Sequence, residues 1–296
     1  MSDSTQQVWR RFPLGGMVVS EVAIAVSIEL LLRRTGLALA AVLWWRSLLA
    51  LALLALYLRP GRPDWVPRVP QLAFIRIFTG GLTFVGWFGA IGTLSARVTA
   101  AILLLDSLVL AYVRGERRPY ERRTIAVLAV ALLIFAAQAV REPGTVTSVP
   151  RGLMFLGIAI FSRAASYKVW ERAQGREEHT FWLIAPALVG GALGGLVLGR
   201  FTVQPVSAPM LLLLALVAAV GLIGYFYMNE VMRLVGAFYM RVIELWQVPM
   251  LWAIHLLTDK APVDWIQGST SLLVALASAF TYAMHRRQAT TSRVAD

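Results

Sequence analysis

Ionisable side chains interrupt several apolar stretches of the sequence that are long enough to cross a lipid bilayer. They are Glu21, Glu29, Arg46, Asp106, Arg163, Glu230 and Glu244. A charge at the centre of a membrane helix costs about 2.5–3.5 kcal/mol on insertion scales. Together these charges would cost on the order of 20 kcal/mol if they faced lipid, which exceeds the net stability of an ordinary fold. We therefore expect them to pair with one another, to line a watery cavity, or both.

Helical spacing groups some of these charges with aromatic side chains, because residues three or four positions apart share one face of a helix. The three groups are Arg163, Tyr167 and Trp170; Tyr225, Asn229 and Arg233; and Arg241, Glu244, Val248, Trp252 and His255. Isolated charges beside aromatic rings suit an amphipathic organic ligand through stacking and cation–π contact. The predicted substrate-binding or coupling residues are Glu21, Glu29, Arg46, Arg163, Tyr167, Tyr225, Asn229, Glu230, Arg241, Glu244 and Trp252.

Structural roles remain open for individual residues. An intramembrane Arg–Glu pair can simply fix helix register, which is the alternative for Arg46, and tryptophans near helix ends are typical of membrane interfaces. Cysteine is absent and the three histidines are scattered without metal-ligand spacing, so the sequence predicts no metal site and no cofactor. A nucleotide-binding loop is also absent from the sequence, which argues against an ATP-driven pump.

The elements that must position these residues are membrane helices. The chain has 296 residues, of which 58% are hydrophobic and only 15% charged, and no segment is long enough for a soluble domain. The sequence predicts an all-α integral membrane protein with about ten transmembrane helices. The predicted spans are Leu14–Leu32, Leu37–Leu58, Leu72–Leu94, Val98–Val113, Thr124–Val140, Leu153–Trp170, Phe181–Leu198, Pro209–Leu234, Gly236–Leu257 and Ile266–Met284.

The net charge of +12 is distributed along the loops between these spans. Most of the arginines lie between apolar segments, and they form no solvent-exposed stripe with aromatic residues, so we expect no nucleic-acid partner. The loops predicted on the side of the N-terminus hold sixteen arginines, and those on the opposite side hold six arginines and one lysine. By the positive-inside rule the sequence predicts a multi-pass protein of a bacterial cytoplasmic (inner) membrane with both termini in the cytoplasm.

An internal repeat divides the chain. Sliding the sequence by 143 residues lays Gly115–Glu121 on Thr258–Asp264, which share the pattern acid, base, any residue, proline, any residue, acid. At a shift of 141, Gly80 meets Gly221 and Ser95-Ala96 meets Gly236-Ala237. The predicted repeats are residues 1–143 and 144–296, with five helices each. Because five is odd, the second repeat enters the membrane from the opposite side, as in many secondary transporters.

Two five-helix halves of this kind resemble the drug/metabolite transporter superfamily, and its EamA-type members most of all. The resemblance lies in Ala41–Leu54 with its second-helix Arg46, in Leu72–Ala139 with Arg114-Gly115-Glu116-Arg117, and in Tyr225–Ser278. Three features depart from the family pattern. Asp106 stands where a fourth-helix proline is usual, Thr258-Asp259 replaces a Gly-Glu pair, and the first helix lacks a Trp-Gly pair. That helix instead carries Ser20-Glu21-Val22, which is similar to the coupling glutamate of the small multidrug resistance branch.

The resemblance implies a secondary active transporter that exports small amphipathic metabolites, such as amino acids or related compounds, by alternating access between the halves. Its partners would be a small-molecule substrate and the lipid bilayer, and the chain would act as a monomer or homodimer. Glu21 would be a protonation site that couples export to the proton gradient. The alternative for Glu21 is a fixed ion pair with Arg46 or Arg163. The alternatives are a flippase for a lipid carrier or lipid headgroup and, less favoured because no His/Asp/Glu cluster marks a membrane face, a membrane enzyme. We expect the chain not to be an enzyme.

Overall fold

The computed structural model describes residues 12–114, 119–139, 147–259 and 265–295. Within those ranges every regular element is a helix, which confirms the all-α prediction. Parts of the predicted loop repeat, namely residues 115–118 and 260–264, lie outside the described residues, as do Arg10, Arg11 and Arg141. The α-helices are α1 (Pro13–Glu29), α2 (Leu39–Leu58), α3 (Pro70–Leu94), α4 (Ala96–Ile102), α5 (Leu104–Arg114), α6 (Pro119–Ala139), α7 (Val149–Gln174), α8 (Thr180–Leu198), α9 (Ala208–Glu244), α10 (Gln247–Asp259) and α11 (Trp265–Ala295).

Six stretches of the described chain are long and apolar enough to cross a membrane. They are Pro13–Arg34, Leu39–Leu58, Pro70–Leu94, Val149–Gln174, Thr180–Leu198 and Ala208–Thr258. The protein is therefore a multi-pass helical membrane protein. The remaining helices are short, as α4 and α5 are, or have a polar and charged end, as α6 has at its start and α11 at its end. The larger number of ten spans stays a prediction.

Two spans predicted as single helices are broken in the structure. The predicted span Val98–Val113 divides at Leu103 into α4 and α5, and the span Gly236–Leu257 divides at Leu245 and Trp246. Pro249 explains the second break, because its ring displaces the carbonyl four residues earlier, at Leu245, and it has no N–H to donate. Nothing in the local sequence accounts for the break at Leu103.

Tight chain reversals precede α4 and the second limb of α9. Ser95 (φ 93°, ψ 159°) ends α3 and caps α4, and Gly236 (φ 78°, ψ 171°) interrupts α9 at the corresponding point. The first backbone N–H after each reversal is bound by a glutamate. Glu29 at the end of α1 accepts from Ala96 N at 3.2 Å, and Glu171 near the end of α7 accepts from Ala237 N at 2.9 Å.

Small residues let the helices approach closely. A Cβ on Gly190 of α8 would lie 1.9 Å from the Ile77 carbonyl oxygen of α3, and one on Gly195 would lie 2.6 Å from the Trp44 nitrogen of α2. Glycines of this segment therefore serve close helix packing. Helix α8 is thereby held against both α2 and α3.

Candidate functional site

Five buried charges from four helices meet in the interior of the bundle, and we call them the central network. It comprises Glu21 on α1, Asp106 on α5, Arg163 on α7, and Arg241 and Glu244 on the second limb of α9. Their side chains are at most 4% exposed. Each interrupts an apolar stretch of its helix, so the helices can bury these positions only if the charges face one another.

Arginine and carboxylate alternate through the network. Arg163 Nη2 lies 2.5 Å from Glu244 Oε1 and 3.3 Å from Glu21 Oε2, and Arg163 Nε lies 3.8 Å from Asp106 Oδ2. Arg241 Nη2 lies 2.8 Å from Asp106 Oδ2, while Arg241 Nη1 donates to Glu244 Oε2. The two guanidiniums thus bridge three carboxylates and tie α1, α5, α7 and α9 together. Removal of a single partner would leave a buried charge uncompensated, which costs about 3–5 kcal/mol.

Aromatic rings surround the guanidiniums. Arg163 Nε donates to the Tyr167 hydroxyl at 2.7 Å, and the Arg163 guanidinium carbon lies 5.0 Å from the centroid of the Trp87 ring. The guanidinium of Arg241 lies 5.7 Å from the ring of Tyr167. Such cation–π contacts strengthen when they are desolvated. The aromatic rings therefore help to hold cations in an interior that water barely reaches.

A narrow polar cavity adjoins the network. Its charged lining consists of Glu21, Arg46, Arg76 and Arg163, and its walls include Trp87, Trp170 and Tyr225. The cavity volume is about 30 Å³. That is room for one or two water molecules and not for an organic molecule. The bundle is closed around this point, and any larger ligand would require its helices to separate.

A wider cavity of about 610 Å³ lies at the end of the bundle where α1 terminates. Its lining includes Glu29, Arg33, Ser95 and His255. Glu29 Oε1 is paired with Arg33 Nη1 at 3.1 Å, and its other oxygen holds the reversal before α4. This cavity is large enough for a small organic molecule, and the Glu29 contact lies in its wall.

Comparison with known proteins gives the fold and nothing finer. No family model matches the chain, and no curated protein is significantly similar to it. Fifteen chains among solved structures match. One of them, described only as "Crystal structure of protein", aligns over 97% of this chain and 99% of its own length, with a TM-score of 0.63 and 17% sequence identity. At that identity the likeness shows that the two chains share a fold.

The structure brings part of the predicted residue set to the network and cavity. The members found there are Glu21, Arg46, Arg163, Tyr167, Tyr225, Arg241 and Glu244. Glu29 lies instead in the wall of the wider cavity.

Three further members lie away from this site. Asn229 accepts hydrogen bonds from Trp170 and Gln174 and so joins α9 to α7. Glu230 pairs with Arg233 on its own helix at 2.6 Å. Trp252 packs against Gly268 of α11, because the break at Leu245 and Trp246 separates it from the face that carries Arg241 and Glu244. The prediction of one continuous face from Arg241 to His255 is therefore wrong.

Two charged residues of the network and its cavity were missing from the predicted set. Asp106 is recognisable in the sequence as an intramembrane charge, but its partner on α9 is 135 positions away. Arg76 is 2% exposed and lines the cavity. It falls six residues after the start of α3 and therefore resembles an ordinary interfacial anchor in the sequence. The sequence did contain a signal for Arg76, because Arg76 lies inside the predicted span Leu72–Leu94, whereas nearly all of the loop arginines lie outside the spans.

Proposed function

We propose that the protein is a secondary active transporter of the drug/metabolite transporter type, which moves small amphipathic metabolites across a bacterial cytoplasmic membrane by alternating access. The observation that carries this proposal is the central network beside a polar cavity. Buried charge of this density is expensive in a membrane protein and typically marks a substrate or ion pathway. The contributing helices come from both halves of the chain, as expected when a binding site lies between two repeats.

Equivalent positions of the two halves make equivalent contacts, which supports the inverted five-helix repeats at 1–143 and 144–296. Glu21 and Arg163 are 142 positions apart, one in the first helix of each half, and they form an ion pair with each other. A pair of equivalent residues that touch must lie on the pseudo-twofold axis that relates the halves. The network is therefore at the pivot about which two such halves would rock.

Glycine packing follows the same relation. A Cβ on Gly80 would meet Ala187, and a Cβ on Gly221 would meet Arg46. Both steps, from Gly80 to Gly221 and from Arg46 to Ala187, are 141 positions. Each half thus places a glycine of its third helix against the second helix of the other half, which is the reciprocity expected of an internal twofold.

The two glutamates that bind the chain reversals also occupy equivalent positions of the two halves, and they lie at opposite ends of the bundle. Glu29 and Glu171 are 142 positions apart. The end of α7, at Gln174, bonds to Asn229 of α9, and α9 at Tyr227 lies against Gly16 near the start of α1. The end of α7 is therefore near the start of α1, whereas Glu29 is at the other end of α1. In the proposed cycle these caps hold the reversals at the two membrane faces.

Orientation belongs to this proposal. The arginine-rich loops put both termini in the cytoplasm, so the wider cavity at Glu29 would open to the opposite side. Because the chain has no cysteine, single cysteines can be introduced without background. A cysteine at Gln288 is expected to react with an impermeant thiol reagent only after permeabilisation, and one at Pro262 in intact cells. Reaction of the Gln288 variant in sealed cells would overturn the orientation.

Transport itself is tested with the purified protein in proteoliposomes. Amino acids and related metabolites that raise the melting temperature are expected to be exchanged across the vesicle membrane, because specific binding stabilises the folded state. Glu244→Gln should insert normally but lose most exchange, since the substitution unbalances the network. Stabilising compounds that are not transported, or full activity of Glu244→Gln, would argue against the proposal.

A flippase for a lipid headgroup is the second candidate, and one observation favours it. A lateral apolar groove of about 370 Å³ lies beside α1 and α11 and includes Val18, Val19, Ile243 and Ser278. Val18 is three residues before Glu21 and Ile243 precedes Glu244, so a lipid in the groove would lie beside the network. Lipid scrambling in vesicles without exchange of soluble compounds would favour this function.

A further inference from the structure

Two arginines of the central cavity form no ion pair with a carboxylate of the described residues. Arg46 on α2 and Arg76 on α3 are 1% and 2% exposed and both line the cavity. Among the described residues, ion pairs occupy Arg163 and Arg241 but join no carboxylate to Arg46 or Arg76. Four guanidiniums therefore face the three carboxylates of the network. The central network and its cavity together therefore carry one more positive than negative side chain.

The donors of these arginines are incompletely used. Arg46 Nε and Nη1 are buried without a hydrogen-bond partner, and its guanidinium carbon lies 4.9 Å and 5.1 Å from the ring centroids of Phe84 and Phe88. Arg76 Nη1 donates to the Ser166 carbonyl at 2.9 Å, whereas Arg76 Nε has no partner. Its guanidinium lies 4.2 Å from the Trp170 ring. Aromatic faces hold both cations in place but leave hydrogen-bond donors unsatisfied, and burial of such donors is unfavourable.

The second half of the chain packs the positions equivalent to Arg46 and Arg76 without a charge. The repeat relation of 141 residues puts Ala187 opposite Arg46 and Val217 opposite Arg76. Ala187 and Val217 are 1% and 2% exposed, so the second half packs the same sites with small apolar side chains. The first half has two buried cations that its counterpart lacks.

We propose that Arg46 and Arg76 form an anion-binding subsite that holds the carboxylate of a small organic anion when the cavity opens. The proposal rests on the proposed function, because it names the substrate class of the same central site. Guanidinium matches the planar, two-oxygen geometry of a carboxylate. The rings of Trp87, Trp170 and Tyr225 in the same cavity suit an aromatic or apolar body attached to it. An incoming carboxylate would also neutralise the excess positive charge.

The first test uses the unmodified protein and a matched series of probes. Phenylacetate is compared with phenylacetamide, which has the same shape without the charge, and with phenethylamine, which reverses it. Binding is measured by calorimetry in a neutral detergent. We expect phenylacetate to bind about 10- to 100-fold more tightly than phenylacetamide, as expected for loss of charge-assisted hydrogen bonds. Equal affinities, or no binding of phenylacetate, benzoate and indole-3-acetate at millimolar concentration, would overturn the subsite.

Variants then locate the anion. Arg46→Gln and Arg76→Gln are each expected to weaken phenylacetate binding at least about tenfold while leaving phenylacetamide unchanged. Arg46→Lys keeps the charge without the forked geometry and should fall between. Arg123→Gln is the control, because Arg123 is exposed on α6. Undiminished phenylacetate binding by both glutamine variants would reject the assignment. If these variants fail to fold, the probe series on the unmodified protein still decides.

Two further experiments distinguish a lipid headgroup from a soluble anion, and the proposed transport function from the proposed anion subsite. Dihexanoyl phosphatidylglycerol tests a lipid headgroup, and its Arg46-dependent binding without carboxylate binding would overturn the assignment to a soluble anion. Phenylacetate exchange in proteoliposomes tests transport. Arginine-dependent binding without exchange would refute the transporter and leave the subsite. Exchange that is unaffected in both glutamine variants would refute the subsite and leave the transporter.

Discussion

Serine and glycine occupy equivalent chain reversals at Ser95 and Gly236, and we expect opposite effects on stability when each is replaced by the other. Both residues lie at φ near 80–90° with extended ψ, a region that essentially only glycine occupies without strain. The first half therefore holds a strained serine where the second half has a glycine. We predict that Ser95→Gly stabilises the protein and that Gly236→Ser destabilises it.

The magnitude follows from the local contacts. Relief of backbone strain at Ser95 is worth about 1–3 kcal/mol. Two costs offset this gain. The greater freedom of glycine in the unfolded chain costs about 0.5–1 kcal/mol. Loss of the helix cap, in which Ser95 Oγ accepts a hydrogen bond from Val98 N at 3.4 Å, costs a few tenths of a kcal/mol. The net gain is about 1 kcal/mol. Gly236→Ser should cost at least about 1–3 kcal/mol, because its Cβ would also lie 2.9 Å from Glu171 Oε1.

Thermal unfolding in detergent, followed by the fluorescence of the ten tryptophans, measures both changes. A change of 1 kcal/mol corresponds to about 2–4 °C for chains of a few hundred residues. Ser148→Gly is the control, because Ser148 also precedes a helix but has φ −161° and makes no side-chain cap bond. It should therefore lower the melting temperature slightly. A Ser95→Gly variant that melts no higher than Ser148→Gly would refute the strain at this reversal.

Three further predictions concern the buried charges. Asp106→Asn and Arg241→Gln should each destabilise the protein by about 3–5 kcal/mol, and the double variant by clearly less than the sum; additive melting shifts would contradict a coupled pair. Glu21→Gln should abolish proton-driven uptake in vesicles but permit substrate exchange, since glutamine cannot release a proton; normal proton-driven uptake by a well-folded variant would exclude coupling through Glu21. Glu29→Gln and Glu171→Gln should each lower stability by about 1 kcal/mol in melting experiments, and a loss confined to one of them would argue against equivalent caps.

Apolar runs predicted the long helices closely because lipid permits few alternatives. The predicted Leu37–Leu58 and Phe181–Leu198 correspond to α2 at Leu39–Leu58 and α8 at Thr180–Leu198. Spans of this length have no other way to satisfy their backbone groups in a bilayer. The two helix breaks were missed because a short interruption leaves the hydropathy of a span unchanged. Pro249 was visible in the sequence as a possible cause of one break.

Charge alone predicted that buried ions must pair, but it could not choose the partners. Arg163 meets Glu244, which is 81 positions away, and the choice depends on which helices become neighbours. Helical spacing grouped Arg241 with Trp252 correctly for an unbroken helix and failed because the helix is broken between them. The internal repeat could have predicted one of the ion pairs. Glu21 and Arg163 occupy equivalent positions, and equivalent residues near an internal twofold are the ones that can touch.

In the proposed transporter the central site departs from the repeat symmetry. Two halves that exchange roles give inward-facing and outward-facing states of similar energy, but the substrate group that lies between them is a single, asymmetric object. Its site must therefore differ from one half to the other. In this chain the scaffold contacts repeat, as Gly80 and Gly221 do, while Arg46 and Arg76 face Ala187 and Val217 across the relation. The buried, cavity-lining cations Arg46 and Arg76 belong to this asymmetry, and in the proposed mechanism they bind an anionic group of the substrate.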